Sequence, residues 1–156
     1  MSLIDQSLAY VRAISPYQPG KPITELAREM GIPVDKILKL ASNENPLGMS
    51  PKARKAVEAA IGGSERYPDQ FELIAKVAER CGLGQNQVVL GNGSNDVLDL
   101  VARVFLAAGR SAVFAQHAFA VYPLATLSTG AELIATPAKN YGHDLDAMRA
   151  AIRPDT

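Results

Sequence analysis

Apolar residues recur every three or four positions in several stretches of the chain, as in helices that bury one face. We expect Ser50 to cap one of these helices and Pro51 to occupy its first turn. Thr24 is a second candidate cap, and Asp69 with Glu72 can form a capping box. The spacing predicts helices over 4–13, 24–30, 51–61, 70–81, 97–106, 119–127 and 145–152.

Short, almost fully apolar runs alternate with these helices and predict strands over 37–40, 88–90, 112–115 and 132–135. This alternation is typical of an α/β fold whose mainly parallel sheet is covered by helices on both faces. Ligands of such sheets bind at the carboxyl ends of the strands. Because residues 91–96 and 117–122 each follow a predicted strand, we expect both segments to border one pocket.

Charge and composition exclude several classes of protein. The 156 residues are the length of one domain, and 16 basic residues balance 16 acidic ones, so we expect neither a nucleic-acid nor a membrane partner. Cys81 has no partner for an internal disulfide, and no metal-ligand spacing occurs. With no secretion signal or membrane-length apolar run, we predict a cytoplasmic protein.

The glycine-rich segment GNGSND (91–96) has two interpretations. It matches neither the dinucleotide fingerprint nor the P-loop, and by spacing alone it is equally compatible with a plain tight turn. Alternatively, the segment would form a phosphate cradle, as a tight loop between a strand and a helix start. Unpaired N–H groups at a helix start lie at the positive end of the helix dipole and can bind an anion. Ser94 adds a hydroxyl at the helix start, and a simple N-cap is the alternative role for it.

Aromatic and polar residues elsewhere also allow two interpretations. Phe119 and Tyr122 can lie on one helix face, either in the core or as a platform for a cofactor. The segment with Asn43 and Asn45 can be an ordinary Asx turn. His117 has no carboxylate or nucleophile near it in sequence, which favours a structural role over that of a base.

The order and spacing of five segments together resemble one family, the histidinol-phosphate aminotransferases, which are fold type I pyridoxal-phosphate enzymes. The most specific part is an Asn-Glu-Asn-Pro block followed at the expected distance by Arg-Tyr-Pro. The resemblance extends from Tyr17 to the end of the sequence. The segments are SPYQPG (15–20), LASNENPLG (40–48), RYPD (66–69), GNGSND (91–96) and FAVYP (119–123).

The resemblance implies pyridoxal 5′-phosphate as the cofactor. Gly93 would allow the close approach of the cofactor phosphate, and the backbone N–H groups of Ser94 and Asn95 would bind it. Phe119 corresponds to the aromatic ring that stacks on the cofactor, where many relatives have tyrosine or tryptophan. Tyr67 corresponds to the residue that reaches across a homodimer interface to the phosphate of the other subunit's cofactor.

The resemblance also implies substrates and substrate contacts. Tyr17 corresponds to a residue that touches the substrate phosphate, and Asn43 and Asn45 would line the substrate side of the cleft. The reaction would be transamination between L-histidinol phosphate and 2-oxoglutarate in histidine biosynthesis, yielding glutamate. An aromatic amino-acid aminotransferase, a threonine-phosphate decarboxylase-like enzyme and a non-catalytic phosphate- or nucleotide-binding module are the alternatives.

Domain organisation follows from the same resemblance. Residues 1–50 would form an N-terminal arm and small-domain segment, and 51–156 the first part of an incomplete large cofactor-binding domain. In the family, the Schiff-base lysine lies beyond the position of Thr156, so the sequence contains no catalytic residue. The last predicted helix also lacks the following strand that a right-handed crossover requires. We therefore expect the front part of a longer protein, inactive alone.

Sequencing the reading frame beyond Thr156 tests this expectation. We predict that the frame continues and encodes the lysine that binds the cofactor, because the family's chemistry requires that nucleophile. A stop codon directly after Thr156 in an otherwise intact gene would contradict the prediction.

Overall fold

A computed structural model describes residues 2–156. The chain forms two compact units, one made of residues 2–17 and 73–156 and the other of residues 18–72. The predicted domain boundary at residue 50 refers to a longer fold and stays a prediction. No helix among residues 2–156 is long and apolar enough to cross a bilayer.

Helices account for most of the regular structure. Short 3₁₀ turns accompany them at Leu3–Gln6, Val34–Lys36, Ile61–Gly63 and Gln85–Gln87. The α-helices of the described residues are α1 (Ala9–Arg12), α2 (Ile23–Met30), α3 (Pro51–Ala60), α4 (Phe71–Cys81), α5 (Ser94–Phe105), α6 (Val121–Ser128) and α7 (Leu145–Ala150).

The first unit contains a parallel pair of strands, β1 (Ser111–Ala115) and β2 (Glu132–Thr136), connected through α6. Their register runs from Ser111 opposite Glu132 to Ala115 opposite Thr136. Both strands were predicted from apolar runs, and their parallel pairing confirms the α/β class. A crossover helix is the usual connection between parallel neighbours.

Small residues bring the helices close to this sheet. Ala102 of α5 and Ala125 of α6 are buried, as are Phe114 and Ala115 of β1. Thr126 is buried as well, and its hydroxyl donates to the Tyr122 carbonyl at 2.8 Å, so the polar group carries little desolvation cost. The core of the first unit therefore lies where α5 packs on α6 and α6 packs on β1 and β2.

A hairpin follows β2, formed by the two-residue antiparallel strands β3 (Ala138–Lys139) and β4 (Gly142–His143). Its central residues Asn140 and Tyr141 both have positive φ, 51° and 62°, as a two-residue hairpin turn of the primed type requires. The strand pattern did not predict this hairpin, because two residues per strand are too few to show alternation.

The residues after α7 form hydrogen bonds with the first residues of β1 and β2. Arg153 donates to both carboxylate oxygens of Glu132 at 3.1 and 2.7 Å, and also to Asp155 at 3.0 Å. Its hydrogen bonds lower the pKa of Glu132 below the ordinary value. The Ser111 N–H donates to the Asp155 carbonyl at 3.0 Å. These bonds fix the carboxyl end of the described chain beside β1 and β2.

Two strand predictions were wrong. Neither 37–40 nor 88–90 forms a strand, although Val88 has an extended backbone. A strand needs a hydrogen-bonded neighbour, and among residues 2–156 no segment pairs with either run. An apolar run records a tendency to extend but does not reveal its partner.

Several helix boundaries also differ from the prediction. Residues 4–13 form a 3₁₀ turn and then α1, rather than one helix. Thr24 lies inside α2, and Pro22 occupies the cap position. Helix α4 begins at Phe71 instead of at Gln70. Asp69 accepts from the Phe71 N–H at 2.9 Å rather than from that of Glu72, so the predicted capping box does not form. By contrast, the Ser50 cap and Pro51 at the start of α3 are confirmed.

Substitution of Gly130 tests the packing of α1. Gly130 has φ +76°, and a Cβ there would lie 3.2 Å from Tyr10 Cε1. Left-handed strain should cost about 1 kcal/mol, and the contact with Tyr10 should add to that cost because the ring must shift to make room. We expect thermal denaturation to show a larger loss for Gly130→Ala than for Gly82→Ala, whose Cβ has no neighbour within 4 Å.

The double variant Tyr10→Ala/Gly130→Ala separates the two contributions. Without the tyrosine ring, Gly130→Ala should cost no more than Gly82→Ala, because only backbone strain remains. An undiminished difference would show that α1 does not pack on this turn.

Candidate functional site

Helix α5 begins at a glycine that has no side chain to cap it. Gly93 occupies the N-cap position with φ 93° and ψ 168°, a region open essentially to glycine alone. Its own N–H donates to the Gly91 carbonyl at 2.9 Å. Ser94 is the first helical residue, so the interpretation of Ser94 as the cap is wrong.

Three backbone donors at this helix start remain unpaired. Among residues 2–156, the N–H groups of Ser94, Asn95 and Asp96 have no acceptor. At the start of α3, by contrast, Pro51 has no N–H and the Ala53 N–H donates to the Ser50 hydroxyl at 3.1 Å. The α5 terminus thus combines free donors with the positive end of the helix dipole, a donor set that fits a phosphate.

The loop before the helix is closed by side-chain and backbone contacts. The Asn92 N–H donates to Asp96 Oδ2 at 3.0 Å. A Cβ added at Gly91 would lie 2.9 Å from Val97 Cγ2 and 3.0 Å from Asp96 Oδ2. The segment is therefore a tight turn and a set of free donors at once, and the two interpretations left open by its spacing are compatible.

A groove of about 530 Å³ runs along α5 from this loop. Arg103 donates to Asp99 Oδ2 at 2.7 Å across one helical turn. This bond raises the pKa of the Arg103 guanidinium above its ordinary value. The residues that line the groove include Asn92, Asn95, Asp96, Asp99, Arg103, Val121 and Leu124.

A second cavity, of about 380 Å³, opens at the carboxyl end of β1. Phe119 lines it and is half-exposed. Tyr122 lines it too, but its ring stacks on Phe114 of the core, with centroids 6.3 Å apart and an interplanar angle of 27°. Tyr122 thus contributes to the packing of β1 and α6, whereas the half-exposed Phe119 is accessible to a ligand.

The expected single pocket is divided between these two spaces. Asn95 lines the groove along α5, and Phe119 lines the cavity beyond β1. Val121, which begins α6, borders the groove, while His117 and His143 border the cavity. The prediction that both loops follow strand ends holds for the segment after β1 and not for the glycine-rich loop, because 88–90 forms no strand.

The remaining predicted site residues are all exposed. Tyr17 belongs to the first unit, whereas Asn43, Asn45 and Tyr67 belong to the second. Asn45 closes its own Asx turn: its Nδ2 donates to the Gly48 carbonyl at 2.9 Å, and its Oδ1 accepts from the Leu47 N–H at 3.1 Å. The proposed binding roles of all four residues stay predictions.

Sequence reasoning did not select Asp96, although the structure places its carboxylate on the loop. An acidic residue at the third helical position is the usual reach-back member of a capping box, and this position was the available signal. Within the described residues, no cluster of three His, Cys, Asp or Glu side chains is arranged to hold a metal.

Comparison with known proteins identifies one family. The family model described as "Aminotransferase class I and II" matches residues 35–156. Histidinol-phosphate aminotransferase 1 of Dechloromonas aromatica is 90% identical over 156 residues, which are 100% of this chain and 43% of that protein. Histidinol-phosphate aminotransferase 2 of Nitrosospira multiformis is 60% identical over 100% of this chain and 40% of its own length. The chain spans about two fifths of these relatives.

A solved structure shares the fold. It is the histidinol-phosphate aminotransferase of Sinorhizobium meliloti in complex with pyridoxal-5′-phosphate, with a TM-score of 0.77 and 20% sequence identity. The match covers 96% of this chain and 40% of that one. It confirms that the chain has the fold of part of an aminotransferase.

Titration with inorganic phosphate tests the donor set. In isotope-labelled protein, we expect the amide resonances of Ser94, Asn95 and Asp96 to shift saturably, because these N–H groups are free to donate. The amide of Ala53, which donates to the Ser50 hydroxyl at the start of α3, serves as the control. Equal shifts at both helix starts, or shifts reproduced by chloride at the same ionic strength, would contradict a specific site.

Proposed function

Because the chain belongs to the aminotransferase class I and II family, we propose that it forms part of a pyridoxal-phosphate-dependent enzyme. This enzyme transfers the amino group of L-histidinol phosphate to 2-oxoglutarate, a step of histidine biosynthesis. The names of the relatives that match the whole chain support this substrate. The activity is proposed for the protein that contains the chain, since the relatives are more than twice as long.

The observation that carries the proposal is the uncapped start of α5. A phosphate placed there would accept hydrogen bonds from the N–H groups of Ser94, Asn95 and Asp96, which have no other acceptor among the described residues. The Ser94 hydroxyl adds a fourth donor. Such charge-assisted bonds would hold the cofactor by its phosphate and fix its orientation.

Phe119 would bind the other end of the cofactor. Its half-exposed ring lines the cavity at the carboxyl end of β1 and can stack on a pyridine ring without any hydroxyl contact. Bound pyridoxal phosphate supplies the electron sink on which amino-group transfer depends. The residues of this chain would therefore bind and orient the cofactor, and the lysine that reacts with it would lie elsewhere in the protein.

Substrate and subunit contacts complete the proposal. Tyr67 is fully exposed, so it is available to reach the cofactor phosphate of a second subunit in a homodimer. Tyr17 would contact the substrate phosphate. Asn43 and Asn45 would line the substrate side, and the Asx turn of Asn45 leaves one amide hydrogen and one carbonyl lone pair for a ligand. The cytoplasm is the proposed location.

Replacement of Gly93 tests the proposed function. In the protein expressed from the complete reading frame, Gly93→Ala should weaken pyridoxal phosphate binding about tenfold or more, because an L-residue at this φ and ψ costs about 1–3 kcal/mol. Histidinol-phosphate transamination should fall in parallel when the cofactor is limiting. Gly82→Ala introduces an alanine with positive φ, +66°, after α4 and away from the loop, and should leave the cofactor affinity unchanged.

Substrate assays on the wild-type protein separate the alternatives. We expect kcat/KM for histidinol phosphate to exceed that for phenylalanine or tyrosine. A reversed order would identify an aromatic aminotransferase, and release of carbon dioxide from threonine phosphate would identify a decarboxylase. Cofactor binding without turnover of any of these substrates would support the binding module.

A further inference from the structure

We propose that Asp96 is a positioning residue for the phosphate site. Its carboxylate fixes the loop before α5 so that the backbone donors face a ligand. The inference rests on the proposed function, because it concerns the same phosphate. It assigns a role to a side chain that points back onto the loop and has no direct contact with the reacting atoms.

The hydrogen bond of Asp96 has an unusual target. In a capping box, the acidic side chain of the third helical residue accepts from the N–H of the cap residue. Here the cap residue is Gly93, whose N–H already donates to the Gly91 carbonyl at 2.9 Å. Asp96 instead accepts from Asn92, one residue earlier, at 3.0 Å. The carboxylate thus holds the loop at Asn92, one residue before the cap.

The space around Gly91 shows how closely the side chain and the loop approach. A Cβ at Gly91 would lie 3.0 Å from Asp96 Oδ2 and 3.2 Å from Asp96 Cβ. A glycine at this position is therefore what allows the carboxylate to reach the Asn92 N–H. Gly91, Asn92 and Asp96 act together, and loss of the carboxylate would release the loop from the first turn of α5.

The positions of the bonds explain why the donors remain available. Acidic side chains in the first helical turn often satisfy the free N–H groups of that turn. In this structure the Asp96 carboxylate is bonded to Asn92 instead, and Gly93 has no side chain that could act as a cap. The protein therefore fixes the loop without occupying the N–H groups of Ser94 and Asn95.

Charge and positioning make opposite predictions for substitutions of Asp96. A negative charge near an anion weakens binding, so neutralising it should strengthen phosphate binding if charge alone mattered. Asp96→Asn removes the charge but keeps a carbonyl oxygen that can accept from Asn92. Asp96→Ala removes both the charge and the acceptor. A positioning role therefore predicts that alanine weakens binding even though it removes a repulsive charge.

Binding of pyridoxal phosphate and of pyridoxal to the apoprotein from the complete reading frame measures these effects. We expect Asp96→Ala to bind pyridoxal phosphate about tenfold more weakly than wild type, because the loop loses its hydrogen bond to a charged group. Asp96→Asn should bind as tightly as wild type or more tightly. Pyridoxal, which has no phosphate, should bind all variants equally, whereas general unfolding would weaken both ligands.

Asp99→Ala is the matched control. Asp99 lies on the same helix and is also acidic, but its carboxylate accepts from Arg103 rather than from the loop. We expect its affinity for pyridoxal phosphate to remain within about twofold of wild type, because the charge is exposed and screened. The amide shifts of Ser94 and Asn95 on addition of inorganic phosphate provide a second measurement, which we expect only Asp96→Ala to reduce.

The outcomes distinguish this inference from the proposed function. Equal affinities for Asp96→Ala and Asp96→Asn, or an equal loss for both ligands, would overturn the positioning role while the cofactor site stands. A wild-type protein that binds neither pyridoxal phosphate nor inorganic phosphate would overturn the proposed function together with this inference.

Discussion

The backbone conformation of Gly93 is the constraint on which the candidate site depends. Its φ of 93° turns the chain sharply into α5. Because the residue is glycine, the cap position has no side chain. A serine or aspartate cap would stabilise a helix by about 1 kcal/mol, as Ser50 does at α3, but it would occupy a donor. The α5 terminus forgoes that stabilisation, and the N–H groups of Ser94, Asn95 and Asp96 stay available.

The parallel pair β1 and β2 determines where the second part of the site lies. Because α6 joins the two strands, the segment between β1 and α6 must pass the carboxyl end of β1, and Phe119 lies on that segment. The buried Ala102 and Ala125 let α5 and α6 pack closely on each other, and α6 packs on both strands. The groove and the cavity are thus held by one small core, in which Tyr122 and Phe114 stack.

Local signals predicted the parts of this structure that depend on nearby residues. The cap and proline of α3, the apolar runs of β1 and β2, and the glycine-rich start of α5 all act within a few positions along the chain. Two strand predictions failed because a strand depends on a distant partner: Val88 is extended but unpaired within the described chain. Several cap predictions failed by a residue or two, because neighbouring residues compete for the same cap position. The Asp96 contact was missed for another reason, since its target depends on Gly93 already donating to Gly91.

The two glycines of the loop have different physical roles, and a motif of two glycines conceals this. Gly93 is required for its backbone angles rather than for space, since its φ is positive and a Cβ there would meet no atom within 4 Å. Gly91 is required for space, because a Cβ would meet both Asp96 and Val97. One glycine therefore opens the helix terminus and the other admits the carboxylate that fixes the loop. A phosphate site built from backbone donors needs both conditions, since free N–H groups on a loose loop would lose their orientation.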